Sequence, residues 1–200
     1  MNYPKDFNKL IEFYKLFPGI GEKNAERMAF STYEMSEERI KKFADTLLSV
    51  KDTIKKCSVC GNISDNDICS ICTDETRDKN IICVVEDYKN IFSFEKNSTY
   101  KGTYHVIGGL ISPIDNINPD DLNIATLVTR VKQLDNCEVI IALKSSIEGE
   151  MTMLYLKKVL ANYNVKVTRL SYGVPLGMNL DYMDVLSLNK ALDDRREIED

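Results

Sequence analysis

Four cysteines at fixed spacing constrain this chain more than any other feature. Cys57 and Cys60 form one Cys-x-x-Cys pair, and Cys69 and Cys72 form a second pair after eight intervening residues. Zn²⁺ accepts tetrahedral ligation by four thiolates because its filled d shell imposes no competing geometry. Gly61, directly after the first pair, suits the tight backbone turn that must pass under such an ion. All four ligand positions are then filled, so the spacing predicts one structural zinc ion per chain.

Two disulfides or four free thiols are the alternatives to a zinc site. The first residues of the chain carry no apolar signal core, which predicts a cytoplasmic location. Disulfides rarely persist in that compartment, so a metal site is favoured. The remaining cysteines, Cys83 and Cys137, lie in apolar runs and are expected to be small buried core residues.

Charge and composition exclude several function classes. The chain has 200 residues, of which 44% are hydrophobic and 28% are charged, as in ordinary globular proteins. Its longest apolar runs, such as Val139 to Leu143, are too short to span a bilayer. The net charge of −5 argues against a protein that coats nucleic acid by bulk electrostatics. Any contact with phosphate must therefore come from a local basic cluster.

Helical periodicity dominates the first part of the chain. Apolar residues recur at helical spacing over residues 7–17, and Pro18 followed by Gly19 ends that pattern. A second helix is predicted over residues 22–33, and a third begins after Ser36, which is a good N-cap. The sequence therefore predicts a small helical domain over residues 1–56.

The periodicity changes after the second cysteine pair. Short apolar runs predict strands over residues 81–85, 104–107, 138–143 and 165–170. Helices are predicted between them over residues 88–94, 118–133 and 148–161. Strands that alternate with helices indicate an α/β domain with a mainly parallel sheet.

The turn between the first two helices carries a possible DNA contact. Gly19 and Gly21 allow backbone N–H groups to point outward at the start of the second helix, where the helix dipole also favours an anion. Lys23 and Arg27 are four residues apart, so they lie on one face of that helix beside the turn. The alternative is an ordinary turn between helices with a solvated charged face. We favour phosphate contact by Gly19, Gly21, Lys23 and Arg27.

Three acidic residues follow predicted strands. Glu86 ends the first strand of the α/β domain, and Glu148 and Glu150 follow the third. At the carboxyl ends of parallel strands such side chains could converge and bind Mg²⁺ for phosphoryl transfer. Glu148 and Glu150 would equally suit a helix N-terminus on dipole grounds alone, and the pattern leaves both readings open. The single histidine, His105, lies in a strand pattern and is expected to be a packed residue.

The order of these parts resembles the bacterial RecR family over essentially the whole chain. The matching motifs are residues 17–23 (FPGIGEK), the four cysteines, residues 104–113 (YHVIGGLISP), residues 148–150 (EGE) and residues 168–177 (TRLSYGVPLG). The resemblance implies a helix–hairpin–helix domain over 1–56, a zinc finger over 57–72, a Toprim domain over 80–175 and a C-terminal segment over 176–200, which is helical and short.

The resemblance also implies a function and partners. Members of the family form a ring-like homo-tetramer, bind single- and double-stranded DNA and act with the RecO and RecF proteins. Together they help to load RecA at gaps coated by single-strand binding protein. We therefore expect a non-catalytic, DNA-binding mediator of recombinational DNA repair that associates with the nucleoid.

The chain departs from the catalytic form of the Toprim domain. Catalytic members place an Asp-x-Asp motif before an acidic residue and glycine, and this chain has Lys144 and Ser146 at the two aspartate positions. An ammonium group repels Mg²⁺. We therefore expect Glu86, Glu148 and Glu150 to form a partner-binding acidic cluster. The alternative is a metal-dependent Toprim enzyme that acts on DNA phosphodiesters through the same three residues.

Overall fold

The computed structural model describes residues 3–96 and 99–197. The ends of the predicted first and last segments, residues 1–2 and 198–200, lie outside these ranges. The chain divides into two units, Met1–Ile54 and Lys55–Asp200. No helix in the described ranges is both long and apolar enough to cross a bilayer.

The first unit is helical. It contains α1 (Lys5–Lys15), α2 (Glu22–Tyr33) and α3 (Glu37–Thr53). Helices α1 and α2 pack through a small core of Ile11, Tyr14, Ala25 and Ala29. The two alanines on α2 leave room for the larger α1 side chains, so the helices can approach closely. The predicted N-cap of α3 is confirmed, because the Ser36 hydroxyl accepts a hydrogen bond from the Arg39 N–H at 3.4 Å.

The second unit begins with a small cysteine-rich loop. Strands β1 (Lys55–Lys56) and β2 (Ile63–Ser64) pair antiparallel, and the one-turn helix α4 (Ser70–Thr73) follows. The sequence did not predict these elements, since two-residue strands are too short to show a hydrophobic period.

A four-stranded parallel sheet forms the rest of the second unit. Its strands are β3 (Ile81–Val85), β4 (Thr103–Val106), β5 (Cys137–Ala142) and β6 (Val165–Arg169), in the spatial order β4-β3-β5-β6. The connecting helices are α5 (Tyr88–Glu95), α6 (Ile124–Val131) and α7 (Ile147–Leu160), and α8 (Val185–Asp193) lies near the C-terminal end. The predicted α/β domain with a parallel sheet is confirmed.

The prediction of one helix over residues 118–133 was wrong. A 3₁₀ turn, Pro119–Asp121, is separated from α6 by Leu122 and Asn123, and Leu122 is extended and buried. The Asn123 N–H donates to the Ile107 carbonyl at 2.9 Å, and its side-chain amide donates to the Val106 carbonyl at 3.0 Å. These bonds attach the break to the end of β4, which outweighs the local preference for a continuous helix.

The two faces of the sheet pack in different ways. Alternate residues of β3 point to opposite faces: Ile82 and Val84 face the larger core with α6 and α7, and Cys83 and Val85 face a smaller core with α5. Both predicted core cysteines, Cys83 and Cys137, are buried. Strand β3 is therefore covered on both faces, as its continuous apolar run predicts.

His105 on the edge strand β4 is fully buried, as expected for a packed residue. Its Nε2 lies 2.8 Å from the Asn123 carbonyl, so this nitrogen carries the proton. Its Nδ1 has no hydrogen-bond partner in the described part of the chain. Burial lowers the pKa of His105 to about 4, and the ring is neutral at physiological pH.

This burial predicts a pH-dependent loss of stability on the acid side. The unfolded chain binds a proton at the ordinary pKa of about 6.5, whereas the folded chain binds it only near pH 4. The free energy of unfolding should therefore fall as the pH drops from about 6.5 towards 4. His105 is the only histidine, so one imidazole NMR resonance reports on it. We expect no titration of that resonance above about pH 5.5 in the folded protein and a midpoint near 6.5 in urea. A folded-state midpoint above about 6 would contradict the prediction.

Candidate metal centre and nucleic-acid interface

The four predicted zinc ligands come together in the cysteine-rich loop. The Sγ atoms of Cys57, Cys60, Cys69 and Cys72 all lie within 4.8 Å of one another, and three of the residues are buried. The Sγ atoms of Cys60 and Cys69 are 3.6 Å apart. A tetrahedral site with Zn–S bonds of about 2.3 Å places its sulfurs about 3.8 Å apart, so the thiol set fits one zinc ion.

Backbone hydrogen bonds shape this loop around the sulfurs. The Gly61 N–H donates to the Cys57 carbonyl at 2.9 Å, and the Cys69 N–H donates to the Cys57 sulfur at 3.3 Å. Gly61 has a φ of +75°, and a Cβ there would lie 3.1 Å from the Val106 carbonyl. The left-handed backbone disfavours any residue with a side chain at this position, and the close approach to β4 adds to that preference for glycine.

The loop is also bonded to the α/β domain. The Cys60 carbonyl accepts a hydrogen bond from the Val106 N–H at 2.7 Å. The Lys79 ammonium donates to the Cys72 carbonyl at 2.7 Å and to the Asp74 carbonyl at 2.6 Å. The predicted zinc site therefore lies in the same unit as the sheet and is bonded to its edge strand.

Hydrogen bonds among the sulfurs favour ionisation of one ligand, Cys69. Hydrogen bonds from the thiols of Cys60 and Cys72 lower the pKa of Cys69. The reciprocal hydrogen bond to Cys69 raises the pKa of Cys60. Four thiolates so close together repel one another strongly, and a divalent cation removes that repulsion.

The predicted phosphate-binding turn is open to solvent. Gly19 has a φ of +80°, and Gly21 is the N-cap of α2. A Cβ at either glycine would meet no atom within 4 Å. In the described part of the chain, the N–H groups of Gly21, Glu22 and Lys23 have no hydrogen-bond acceptor. These exposed donors lie at the positive end of a twelve-residue helix.

The two predicted basic contacts remain available beside this turn. Lys23 and Arg27 are exposed, and within the described ranges neither makes an ion pair. Lys15 is instead engaged, because it bridges Glu12 and Glu22 at 2.9 Å each. The structure thus places the open glycines in the turn and these two cations, unpaired within the described ranges, in the first two turns of the same helix.

The three predicted acidic residues do not gather into a metal site. Among the described residues, the four cysteines are the only group of three or more His, Cys, Asp or Glu side chains close enough to share an ion. Glu86 is half-buried after β3, and its backbone carbonyl accepts a hydrogen bond from the Gly108 N–H at 2.9 Å. Glu148 and Glu150 lie in the first turn of α7, where the helix dipole favours them.

Gly149 between these acids has a packing role. A Cβ at this position would lie 1.9 Å from the carbonyl oxygen of Lys144, so any side chain would force the backbone apart. The first turn of α7 therefore rests directly on the chain that leaves β5. Ser146 caps the helix by accepting a hydrogen bond from the Gly149 N–H at 3.2 Å. Hydrogen bonds from its own backbone N–H and from the Ser146 hydroxyl lower the pKa of Glu148.

Glu150 holds the C-terminal segment, a role the sequence did not indicate. Its carboxylate accepts hydrogen bonds from the Tyr172 hydroxyl and, at 3.0 Å, from the Lys190 ammonium on α8. These two contacts lower the pKa of Glu150. Nearby, Asp194 accepts from Arg169 at 2.6 Å and from the Tyr172 N–H at 3.0 Å. The partners are 22 to 40 residues apart, so no local sequence pattern could have revealed them.

Comparison with known proteins gives full-length similarity. Four family models match consecutive parts of the chain: the RecR helix-hairpin-helix (residues 7–51), the RecR four-cysteine zinc finger domain (54–74), the Toprim domain (80–171) and the RecR C-terminal region (173–196). Recombination protein RecR of Staphylococcus haemolyticus is 45% identical over 198 residues, which is 99% of this chain and 100% of the relative. Recombination protein RecR of Staphylococcus aureus is 44% identical with the same coverage. The match to the zinc-finger model agrees with the cysteine geometry.

Loss of one ligand should release the metal and destabilise the second unit. We expect one zinc per wild-type chain by metal analysis, and Cys57→Ser should lose the zinc and melt at a lower temperature, because metal-binding free energy contributes to folding. Cys137→Ala is the matched control, since it removes a buried thiol outside the cluster. It should keep one zinc. A Cys57→Ser protein with wild-type stability and no zinc would contradict a structural role for the metal.

Proposed function

The chain belongs to the RecR family, and we propose that it is a non-catalytic, DNA-binding mediator of recombinational repair. In this proposal it acts with RecF and RecO to help load RecA at single-stranded gaps. One observation carries the DNA-binding part: an open glycine turn with unbonded N–H groups stands beside two exposed, unpaired cations in the described ranges.

The geometry of the turn suits a phosphate better than a base. Backbone N–H groups and the dipole of α2 attract any phosphate oxygen, regardless of sequence. Lys23 and Arg27 add positive charge one helical turn apart. Such charges contact the phosphates of a DNA backbone and do not read the edges of its bases. We therefore propose that Gly19, Gly21, Lys23 and Arg27 contact the phosphates of single- and double-stranded DNA.

We assign the remaining parts of the chain by the same proposal. The domains are the helix–hairpin–helix domain (1–56), the zinc finger (57–72), the Toprim domain (80–175) and the C-terminal segment (176–200). The protein assembles as a homo-tetrameric ring or a dimer in the cytoplasm and associates with the nucleoid during repair. Glu86, Glu148 and Glu150 belong to a surface for protein partners, and Glu148 is the acid most available for it, because Glu150 already bonds Tyr172 and Lys190.

Removing Lys23 and Arg27 together should weaken DNA binding uniformly over sequences. For the Lys23→Ala/Arg27→Ala double variant, the slope of log affinity against log salt should become shallower by about 1.4 to 1.8, which corresponds to two phosphate contacts. The variant should fold normally, since both side chains are exposed. Fluorescence anisotropy with labelled DNA at several salt concentrations measures both quantities.

A charge-matched control separates local contact from net charge. Lys41→Ala/Lys42→Ala removes the same charge from exposed positions on α3. This variant should lose less affinity than the Lys23/Arg27 variant. Equal losses would indicate a general electrostatic effect, and an unchanged salt slope in the Lys23/Arg27 variant would show that the turn is structural only.

Catalysis by the Toprim domain is the rival function. Phosphoryl transfer needs several carboxylates around one Mg²⁺, which gives up its water reluctantly. Here Glu150 is bonded to the C-terminal segment, and Lys144 lies in the loop between β5 and α7, just before the helical turn that carries Glu148. The absence of a carboxylate cluster in the described ranges supports a scaffold role.

We expect no nicking, relaxation or ligation of plasmid DNA with Mg²⁺ or Mn²⁺. Glu148→Ala should instead weaken binding to purified RecO or RecF, measured by surface plasmon resonance. Glu75→Ala, at another exposed acidic position, should leave this binding unchanged. Metal-dependent cleavage that follows the purified protein and disappears in Glu86→Ala would establish the enzymatic function instead.

A further inference from the structure

The outer strand β6 leaves a row of backbone groups unpaired. It lies at one edge of the sheet and pairs only with β5. The Leu170 N–H donates to the Ile141 carbonyl at 3.2 Å, which fixes the orientation of the ladder. In that register the N–H and C=O groups of Val167 and Arg169 point away from β5. They have no backbone partner within the described ranges.

At the opposite edge of the sheet, the outward backbone groups of β4 are hydrogen-bonded. On β4 the Val106 N–H is bonded to the Cys60 carbonyl, and the Val106 carbonyl accepts from Asn123. The guanidinium of Arg130 donates to the Tyr104 carbonyl at 2.7 Å. Proteins commonly cover an exposed edge because it can pair with another chain. This chain covers β4 and leaves β6 open.

A groove with an apolar floor runs beside the open edge. A cavity of about 420 Å³ lies between β6 and α7, lined by Met153, Leu154, Lys157 and Val167 together with Ile141, Thr168 and Arg169. The Leu154 side chain is 61% exposed. An extended peptide paired with β6 would direct alternate side chains into this groove and the others to the opposite face of the sheet.

The surroundings of the edge are basic. Lys157 and Lys158 on α7 are exposed, and neither has a carboxylate partner among the residues that the structure describes. Lys166 on β6 is 72% exposed and lies 3.6 Å from Glu138, so its pairing is weak. The Arg169 charge is already matched by Asp194. Three lysines therefore remain to attract acidic groups.

We propose that β6 is a docking site for an extended acidic segment of a partner protein, which adds to the sheet as a fifth strand. The open backbone row supplies main-chain hydrogen bonds, and the groove accepts apolar side chains at alternate positions. Acidic residues between them project to the opposite face of the sheet, where Lys166 lies, and Lys157 and Lys158 on α7, at the groove side, attract the negative charge of the segment as a whole. A second copy of this chain fits less well, because pairing β6 with itself would bring two sets of lysines together.

A synthetic peptide tests this site directly. The probe is a fluorescently labelled peptide of about ten residues, long enough to cover the strand, with alternating valine and glutamate. It is titrated with the full chain and followed by anisotropy. We expect saturable binding that weakens as salt is added. Replacing the glutamates by lysine, or placing proline at the centre, should each weaken binding at least about tenfold. No binding of the valine–glutamate peptide, or equal binding of all three peptides, would overturn the proposal.

Variants of the protein locate the binding on β6. Val167→Pro removes an outward N–H and leaves the bonds to β5 in place, since proline is tolerated on edge strands in this orientation, and it should weaken peptide binding at least about tenfold. Lys157→Glu/Lys166→Glu should do the same without touching the backbone, so it serves if the proline variant fails to fold. Lys89→Glu/Lys96→Glu makes the same change of charge at two exposed positions on α5 and its C-cap. It is the matched control and should bind as wild type.

Two further outcomes would count against the site. Binding that survives both the proline and the lysine variants would place the peptide elsewhere. A concentration-dependent increase in mass that Val167→Pro abolishes would show that a second copy occupies the edge instead. Circular dichroism and zinc content confirm that each variant is folded before its binding is compared.

Discussion

The hydrogen bond between the Val106 N–H and the Cys60 carbonyl joins the zinc loop to the sheet. Four thiols within 4.8 Å of one another are a poor arrangement without a cation, because their ionised forms repel and their neutral forms make weak hydrogen bonds. A zinc ion removes the repulsion between the thiolates, and its binding free energy adds to the free energy of folding. Through Cys60, and through Lys79 at Cys72, that gain reaches the edge strand β4 and the segment before β3. The metal site therefore stabilises far more of the second unit than its own sixteen-residue loop.

A net negative charge is compatible with DNA binding because only charges close to the binding surface act on a phosphate. The chain carries a net charge of −5, which opposes non-specific attraction to DNA. At physiological salt, however, charges further than about 8 Å apart are largely screened, so local groups decide whether a phosphate can approach. At the turn between α1 and α2, glycines leave N–H groups exposed, and Lys15 partly neutralises Glu22. An acidic protein can thus present one short surface that favours phosphate.

The predictable features are those fixed by local chemistry. The cysteine spacing, the glycine turn and the change from helical to strand periodicity gave the metal ligands, the α1–α2 turn and the parallel sheet. The break before α6 was missed because Asn123 bonds to the end of β4, and nothing near Asn123 in sequence reports that contact. The same applies to the contacts of Glu150, whose helix position suggested only a dipole role, while Tyr172 and Lys190 reach it from distant segments. Contacts between residues remote in sequence depend on how elements pack, and packing is what a single sequence encodes least directly.

The glycine between Glu148 and Glu150 separates two explanations for one motif. An acidic residue followed by glycine after β5 resembles a catalytic Toprim site. In this chain, however, the glycine is required because a Cβ at that position would lie 1.9 Å from the carbonyl oxygen of Lys144. That requirement comes from seating α7 on the sheet, and it would apply with or without a metal. The acidic side chains have a separate explanation, since both lie in the first turn of a helix whose N-terminus favours negative charge. Packing and helix electrostatics are therefore sufficient to maintain the motif, and its presence alone carries no argument for phosphoryl transfer.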